Sequence, residues 1–212
     1  AASDVYKRQV GALRGNEIQQ LYICSQLVKA LKELEAHGAI SHNHEILVIP
    51  SVNRFSMNVG KRFWPTDNSD INRAFPGDVN GDTTKQIAGT LFDRIKGYSY
   101  GIHFASFYMP GDFIPHVKMM DTGFQSASLA NLFGLQYVVI RKPKPMDTVT
   151  LNYNWQMNGT NAFSIYTNST DMIDEKSARQ AVSSVLRFLT RMGILKLSLI
   201  HISEPTRPLY IS

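Results

Sequence analysis

Two residues of this 212-residue sequence, Glu17 and His103, could bind a metal ion or move a proton. Glu17 closes a turn of mainly small residues, Gly-Ala-Leu-Arg-Gly-Asn-Glu, directly before a helical pattern. His103 lies in the run Gly-Ile-His-Phe near the end of a predicted strand. Carboxylate and imidazole side chains are among those that bind metal ions and transfer protons in enzymes. Each signal is weak when it is taken alone.

Two arginines have neighbours that suit carboxylate binding. Arg62 precedes the segment Asp-Ile-Asn-Arg-Ala-Phe-Pro-Gly, which contains Asn72 and Arg73 and begins at Asp70. A planar guanidinium can engage a carboxylate through two parallel hydrogen bonds, and Asp70 could orient Arg73. Residues 51–81 are rich in Asn, Asp, Gly, Pro and aromatic residues and follow neither the helical nor the strand period. A loop of this length inside a domain is usually functional.

The elements that would position these residues alternate between helices and short apolar strands. Apolar residues at helical spacing predict helices over residues 17–37, 83–96, 126–133 and 175–192. Short apolar runs predict strands over residues 45–49, 98–104, 137–140 and 162–166. Such alternation indicates an α/β domain with a mixed, largely parallel sheet flanked by helices. Ligands of such sheets bind in loops beyond the carboxyl ends of the strands.

The two ends of the sequence do not resemble the rest. Residues 1–9 and 197–212 correspond to translated sequencing-adapter sequence of the transposase type with its flank, and we interpret them as not native. The alternative is a basic N-terminal arm and an amphipathic C-terminal strand. On the first interpretation, residues 10–196 are a partial domain cut from a longer protein.

Charge and cysteine content restrict the classes of partner. Removing both ends takes three of the 22 basic and two of the 17 acidic residues, so the net charge changes from +5 to +4. The basic residues are scattered, which favours a small anionic substrate over nucleic acid. The single cysteine, Cys24, excludes an internal disulfide and suits a reducing compartment. No apolar run is long enough to span a membrane, so we expect a cytoplasmic protein without a membrane partner.

Three stretches resemble, together and in this order, the succinylglutamate desuccinylase/aspartoacylase family, relatives of the zinc carboxypeptidases. They are the turn that ends at Glu17, Arg62 with the segment that begins at Asp70, and the run that contains His103. The resemblance spans about residues 10–195, and Asp-x-Asn-Arg-x-Phe-Pro-Gly is its most specific part. It implies a carboxypeptidase-like catalytic domain over residues 10–196, with a C-terminal β-rich part missing. It also implies hydrolysis of an amide bond in a small substrate that carries a carboxylate.

The resemblance implies a zinc site that this sequence only partly provides. In the family, a His-Gly-Asn/Asp-Glu turn and a later histidine at a strand end bind the ion. Glu17 matches the glutamate and His103 the second histidine, whereas Arg14 replaces the first histidine. A guanidinium has no lone pair to give to a metal, so two of three ligands are present. His116, which we expect in the loop after the His103 strand, is a possible substitute.

The resemblance also assigns the remaining roles. Arg62 would face the reacting carbonyl, and Asn72 with Arg73 would hold the substrate carboxylate. Tyr166 stands where the family has its catalytic glutamate, and a phenol with a pKa near 10 is a poor general base at neutral pH. Other acidic residues could reach the site, although each could instead cap or begin the final helix: Asp171, Asp174 and Glu175.

Three interpretations of function follow. The first is a zinc-dependent deacylase that cleaves an amide of a small carboxylate-bearing substrate. The second is a non-catalytic relative that binds a small anion, having lost a metal ligand at Arg14 and the base at Tyr166. The third keeps catalysis with an altered metal site, completed by His116 or by a residue outside this chain.

Overall fold

A single six-stranded sheet forms the centre of the protein. The computed structural model describes residues 5–42, 44–109 and 111–196. Its strands are β1 (Val5–Ala12), β2 (His44–Ser51), β3 (Tyr100–Ala105), β4 (His116–Met120), β5 (Tyr137–Arg141) and β6 (Asn161–Tyr166). They lie in the order β2-β1-β3-β6-β4-β5, and all neighbours run parallel except β4 and β6. The predicted mixed, largely parallel α/β sheet is therefore confirmed.

Helices cover both faces of this sheet. The α-helices are α1 (Ile18–Ala36), α2 (Arg54–Asn58), α3 (Thr83–Ile95), α4 (Leu151–Met157) and α5 (Glu175–Arg191). Helices α1 and α5 bury Leu27 and Phe188 against one face, and α3 and α4 bury Ile95 and Trp155 against the other. The caps follow from the sequence, because the Asp82 side chain accepts a hydrogen bond from the backbone of α3.

The sequence did not predict strands β1 and β4 or helices α2 and α4, and of these β4 and α4 owe their place to tertiary contacts. Strand β4, His-Val-Lys-Met-Met, is short and alternates polar with apolar residues. Helix α4 is rich in asparagine, but Asn154 is buried and donates hydrogen bonds to the carbonyl oxygens of Thr148 and Thr150. Strand β2 is half-buried at the edge of the described sheet, not fully buried as its apolar run predicts. The helix predicted over residues 126–133 is a 3-10 helix (Ala127–Phe133) with Ser126 as its N-cap.

The chain ends relate to this fold in two different ways. Strand β1 begins at Val5, so residues 5–9 pair with β2 and β3 although we interpret them as adapter-derived. Backbone groups make this pairing, and every sequence offers them, so the origin of these residues remains a prediction. Residues 197–212 lie outside the described residues. Among the described residues, none of the helices combines the length and apolar character that crossing a membrane requires.

Candidate functional site

The floor of the main pocket is a row of side chains from adjacent strands. His103 on β3 aligns with Ser164 on β6, and Ser164 aligns with Lys118 on β4. Arg141 on β5 lies beside Met120, two residues after Lys118. Because side chains of a strand alternate between the two faces, these residues face the same side of the sheet. All of them line one cavity of about 150 Å³.

The rim of this pocket comes from loops beyond the carboxyl ends of strands. Arg14 follows β1, Tyr108 follows β3, and Arg73 ends a 3-10 helix (Ile71–Arg73) in the long loop. Asn72 also lines the pocket, while its side-chain oxygen accepts a hydrogen bond from the backbone of Leu151. The location agrees with the rule for ligand sites in open α/β sheets.

Arg14 is held in a buried network of charges at one wall of the pocket. Its Nη1 donates to Glu17 Oε1 at 2.9 Å. Its Nε and Nη2 donate to the two oxygens of Asp70 at 3.0 and 2.9 Å. Nη2 also donates to the hydroxyl of Tyr108 at 3.1 Å. The side chain of Arg14 is only 4% exposed, so the guanidinium is a fixed part of the wall.

The charges in this network stabilise one another. Burial opposes the protonation of Arg14, but the negative charges of Glu17 and Asp70 outweigh it and raise the pKa of the guanidinium. Burial likewise opposes the ionised form of Asp70, but the charge and hydrogen bonds of Arg14 lower the pKa of this carboxyl. Both groups are therefore ionised at neutral pH.

Glu17 has no free carboxylate oxygen. Its Oε2 accepts hydrogen bonds from the backbone N–H groups of Leu13 and Arg14, at 2.7 and 2.9 Å. Its Oε1 accepts from Arg14 and, at 2.5 Å, from the hydroxyl of Ser106. An ionised carboxylate offers about four acceptor positions, and four donors occupy them here.

His103 lies beside this network without sharing it. The residue is 3% exposed, and its buried Nε2 has no hydrogen-bond partner in the part of the chain that the structure describes. Burial lowers the pKa of His103 to about 4, the charge of Arg14 adds to this, and the charge of Glu17 opposes it. The ring is therefore neutral at pH 7, with one nitrogen unpartnered in the wall of the pocket.

The donor set does not fit the zinc site that the resemblance implies. A catalytic zinc needs three protein ligands with free lone pairs. Glu17 is saturated with donors, and the guanidinium of Arg14 lies against it. Within residues 5–42, 44–109 and 111–196, no group of three or more His, Cys, Asp and Glu side chains is arranged to hold a metal ion. His116 thus does not complete a three-ligand set with Glu17 and His103.

His116 and Tyr166 form an aromatic stack at the far end of the pocket. His116 begins β4 and is not in a loop as expected; its ring stacks on Tyr166 with the centroids 4.9 Å apart. Phe107 packs against Tyr166 from another side, and Lys118 Nζ lies 5.5 Å from the Tyr166 ring centroid. Burial raises the pKa of Tyr166, so its hydroxyl stays protonated at neutral pH. The position expected for a catalytic base therefore carries a neutral phenol.

The alternative acidic residues are engaged at the start of α5 or lie apart from the pocket. Asp174 caps α5 by accepting hydrogen bonds from the backbones of Lys176 and Ser177. Glu175 pairs with Arg179 in an exposed ion pair. Asp171 lines a neighbouring cleft and not the pocket of His103.

Arg62 also belongs to the neighbouring cleft, on the other side of Tyr108. Its guanidinium carbon lies 4.8 Å from the Tyr108 ring centroid, and its buried Nε and Nη2 have no hydrogen-bond partner within residues 5–42, 44–109 and 111–196. Gly15 fixes the Arg62 segment, because Gly15 N donates to Arg62 O at 3.0 Å and a Cβ at Gly15 would lie 2.0 Å from Lys61 O. The structure thus brings Arg14, Asn72, Arg73, His103 and Tyr166 into one pocket but leaves Arg62 outside it.

Sequence patterns did not single out several residues of this pocket. Lys118 and Arg141 lie on strands whose short patterns gave no sign of a site. Arg141 is neutralised by Asp147 through two hydrogen bonds, at 2.6 and 2.8 Å. Asn152 of α4 donates to Ser164, and its side-chain oxygen is buried without a hydrogen-bond partner among the described residues. Recognising the alternation of His-Val-Lys-Met-Met as a strand could have shown which residues share a face with Lys118, but not that this strand lies near His103.

Comparisons with known proteins show which family and which solved structures this domain is similar to. Residues 10–192 match the family described as "Succinylglutamate desuccinylase/Aspartoacylase catalytic domain". A curated relative is the N-alpha-acetyl-L-2,4-diaminobutyric acid deacetylase of Halomonas elongata, which is 28% identical over 85 residues. That alignment covers 40% of this chain and 23% of the relative, so this chain spans a minor part of its length.

Solved structures show the same fold. A succinylglutamate desuccinylase/aspartoacylase from Rhodobacter sphaeroides superposes with a TM-score of 0.75 at 20% identity, over 92% of this chain and 57% of that one. A metallo-carboxypeptidase from Burkholderia cenocepacia gives a TM-score of 0.70 at 11% identity, over 91% and 58% of the two chains. This chain therefore spans little more than half the length of these structures.

Proposed function

The chain belongs to the succinylglutamate desuccinylase/aspartoacylase family, and on that premise we propose that its domain binds a small amide that carries a carboxylate. The ligand would lie in the pocket between the strand floor and the loop rim. The proposal concerns the domain present in this chain, which matches the family over residues 10–192.

One observation carries the proposal: two cations that line the pocket, Arg73 and Lys118, have no ion pair with any acidic residue that the structure describes. Asp147 interacts with both of them, and Asp70 with Arg73, through their charges and without an ion-pair contact. Arg73 lies on the rim and donates a long hydrogen bond to the Tyr108 hydroxyl, at 3.4 Å. Lys118 is on the half-buried floor, where burial and then the charge of Arg141 lower its pKa. An anionic ligand would neutralise both cations, and its carboxylate would accept charge-assisted hydrogen bonds.

Neutral groups of the pocket suit the amide part of such a ligand. The unpartnered side-chain oxygen of Asn152 can accept a hydrogen bond from an amide N–H. The protonated hydroxyl of Tyr166 can donate to a carbonyl oxygen. The modest size of the cavity, about 150 Å³, favours an acylated amino acid over a peptide.

Calorimetric titration of the purified chain tests the binding. Three acids would be tested: N-succinyl-L-glutamate, N-acetyl-L-aspartate and N-alpha-acetyl-L-2,4-diaminobutyrate. Each would be compared with its fully methyl-esterified form, which keeps the amide but has no carboxylate. We expect at least one acid to bind, and its ester to bind at least about tenfold more weakly, because a hydrogen bond to a charged group contributes about 1.5–3 kcal/mol. Equal affinity for acid and ester would refute a carboxylate site.

Hydrolysis of that amide is a second candidate function, favoured by the family match and by the deacetylase among the relatives. We derive no step through zinc, because the donors present do not fit the ion. Release of free amine from the same three compounds, assayed with and without added zinc, tests hydrolysis. Amine release that Arg73→Met abolishes would support turnover in this pocket, whereas binding without release would support the non-catalytic interpretation.

A further inference from the structure

We infer that Arg14 is a resident cation that takes the place of a metal ion in this site, so that the pocket operates without zinc. The part of the inference that concerns metal binding rests on the contacts of Arg14, Glu17 and Asp70 alone. The statement that the pocket still binds its ligand rests on the proposed function.

The geometry around Glu17 carries the first step. A metal ligand must direct a lone pair at the ion, but both Glu17 oxygens already accept two hydrogen bonds each. Two of those donors are backbone N–H groups of the same turn, which cannot rotate away without reshaping the loop. The guanidinium of Arg14 covers the remaining approach from the pocket side, 2.9 Å from Oε1.

Asp70 fixes Arg14 in this position. The bidentate contact with Asp70 holds the plane of the guanidinium, and the Tyr108 hydroxyl bonds to both Arg14 and Asp70. Planar, two-point recognition of this kind is specific to arginine and would not be reproduced by lysine. The same Asp70 oxygen that binds Arg14 Nε also accepts from Asn72 N, which connects the network to the rim of the pocket.

The balance of charge explains why the arrangement would exclude zinc. Glu17 is fully buried and needs a compensating cation, because an unpaired buried carboxylate is strongly destabilising. Arg14 supplies this charge within the chain and cannot lose its proton at physiological pH. A zinc ion would therefore have to displace a covalently attached cation that Asp70 also holds in place.

His103 lines the same pocket as Arg14. Its Nε2 is buried and has no hydrogen-bond partner among the residues that the structure describes.

Zinc content of the purified full chain is the test, and it needs no substrate. Wild type, Arg14→His and Arg14→Gln would each be incubated with one equivalent of zinc sulfate, dialysed exhaustively against metal-free buffer, and analysed by plasma mass spectrometry. We expect less than about 0.1 zinc per chain in wild type. Arg14→His supplies an imidazole nitrogen as a third metal ligand next to Glu17 and His103, and we expect this variant to retain close to one zinc per chain. Arg14→Gln removes the charge without an imidazole and should retain little.

Each outcome bears on the inference. One tightly bound zinc per wild-type chain, lost in Glu17→Gln, would overturn it. Equal retention by folded Arg14→His and Arg14→Gln, or none in folded Arg14→His, would refute the assignment of Arg14 to the metal position. If Arg14→His does not fold, which circular dichroism would show, the wild-type measurement alone still decides whether zinc is bound. Ligand binding is measured separately, so failure of the proposed function leaves the zinc result interpretable.

Discussion

Arg14 Nη1 and Glu17 Oε1 lie 2.9 Å apart in the turn that joins the first strand to the first helix, and both side chains are almost fully buried. Residues three apart at the start of a helix can meet in this way. The pair is stabilising only in its completed form, because each charge would be costly in the interior without the other.

Arg14→Met should therefore destabilise the protein by about 3–5 kcal/mol, the usual cost of removing one partner from a buried ion pair. The change keeps most of the side-chain volume, so loss of packing contributes little. Urea unfolding of the two proteins measures the difference. Arg179→Met is the matched control, since its pair with Glu175 has side chains that are 62% and 66% exposed; that change should cost about 1 kcal/mol or less. Similar losses in both variants would contradict a buried, interdependent network.

Gly15→Ala should destabilise the protein by about 1–3 kcal/mol through overpacking. A Cβ at Gly15 would meet the Lys61 carbonyl oxygen at 2.0 Å and the backbone of Ser56 at 2.5 Å, so one of the two loops must shift. Thermal unfolding checks the prediction. Gly89→Ala serves as the control, because its added Cβ has no neighbour closer than 3.4 Å and a helical alanine is favoured over glycine. A Gly15→Ala protein as stable as wild type would show that the loops do not need this close approach.

The sequence predicted the elements that have a strong period and a clear stop. Helix α1 shows apolar residues at helical spacing and ends before Gly38, which adopts a positive φ of 68° that favours glycine. The alternation of helices and strands also predicted correctly that the sheet would be mixed and largely parallel. The family resemblance is confirmed by the match over residues 10–192.

The site was harder to predict, because its floor depends on strand order and register. Lys118 approaches His103 only because β6 lies between β4 and β3. The family resemblance assigned both Arg62 and Arg73 to the substrate, but they line two neighbouring clefts, and Tyr108 lines both. The pairing of Arg14 with Glu17 was foreseeable from spacing and charge, whereas the bidentate contact with Asp70 joins residues 56 positions apart.

Asp147 should make the free energy of unfolding depend on pH in the acidic range. Hydrogen bonds from Arg141 lower the pKa of Asp147 below its usual value near 4, and burial partly opposes them. A carboxyl with a depressed pKa stabilises the folded state above the unfolded pKa, and that contribution is lost as pH falls through the folded pKa. The free energy of unfolding of Asp147→Asn should thus be lower than that of wild type at pH 7, and the difference should shrink below about pH 4. Urea unfolding between pH 2.5 and 7 measures this. Asp93→Asn, an exposed control paired with Lys96, should show a much smaller effect; a constant difference for Asp147→Asn would contradict the prediction.

Arg73→Met and Lys118→Met should each weaken binding of whichever N-acyl amino acid the titrations identify, by at least about tenfold, because each removes a charged donor from the pocket. Lys29→Met is the control, since it removes the same charge from an exposed position on α1, across the sheet from the pocket. Calorimetry at a fixed ionic strength of about 0.15 M keeps screening constant among the variants. If Lys29→Met lost as much affinity for the ligand, the overall electrostatic field of the protein, and not contacts in the pocket, would explain the weaker binding.

The double variant Arg73→Met/Lys118→Met then separates two arrangements of the ligand. Arg73 lies on the rim and Lys118 on the floor, and the structure shows no hydrogen-bond partner that the two described side chains share. We therefore expect them to contact different parts of the ligand, so that their losses of binding free energy add within about 0.5 kcal/mol. If both cations held one carboxylate group, the second substitution would cost much less than it does alone, because the first would already have released that group. A coupling free energy above about 1 kcal/mol in this double-mutant cycle would show that the two cations do not contact separate parts of the ligand.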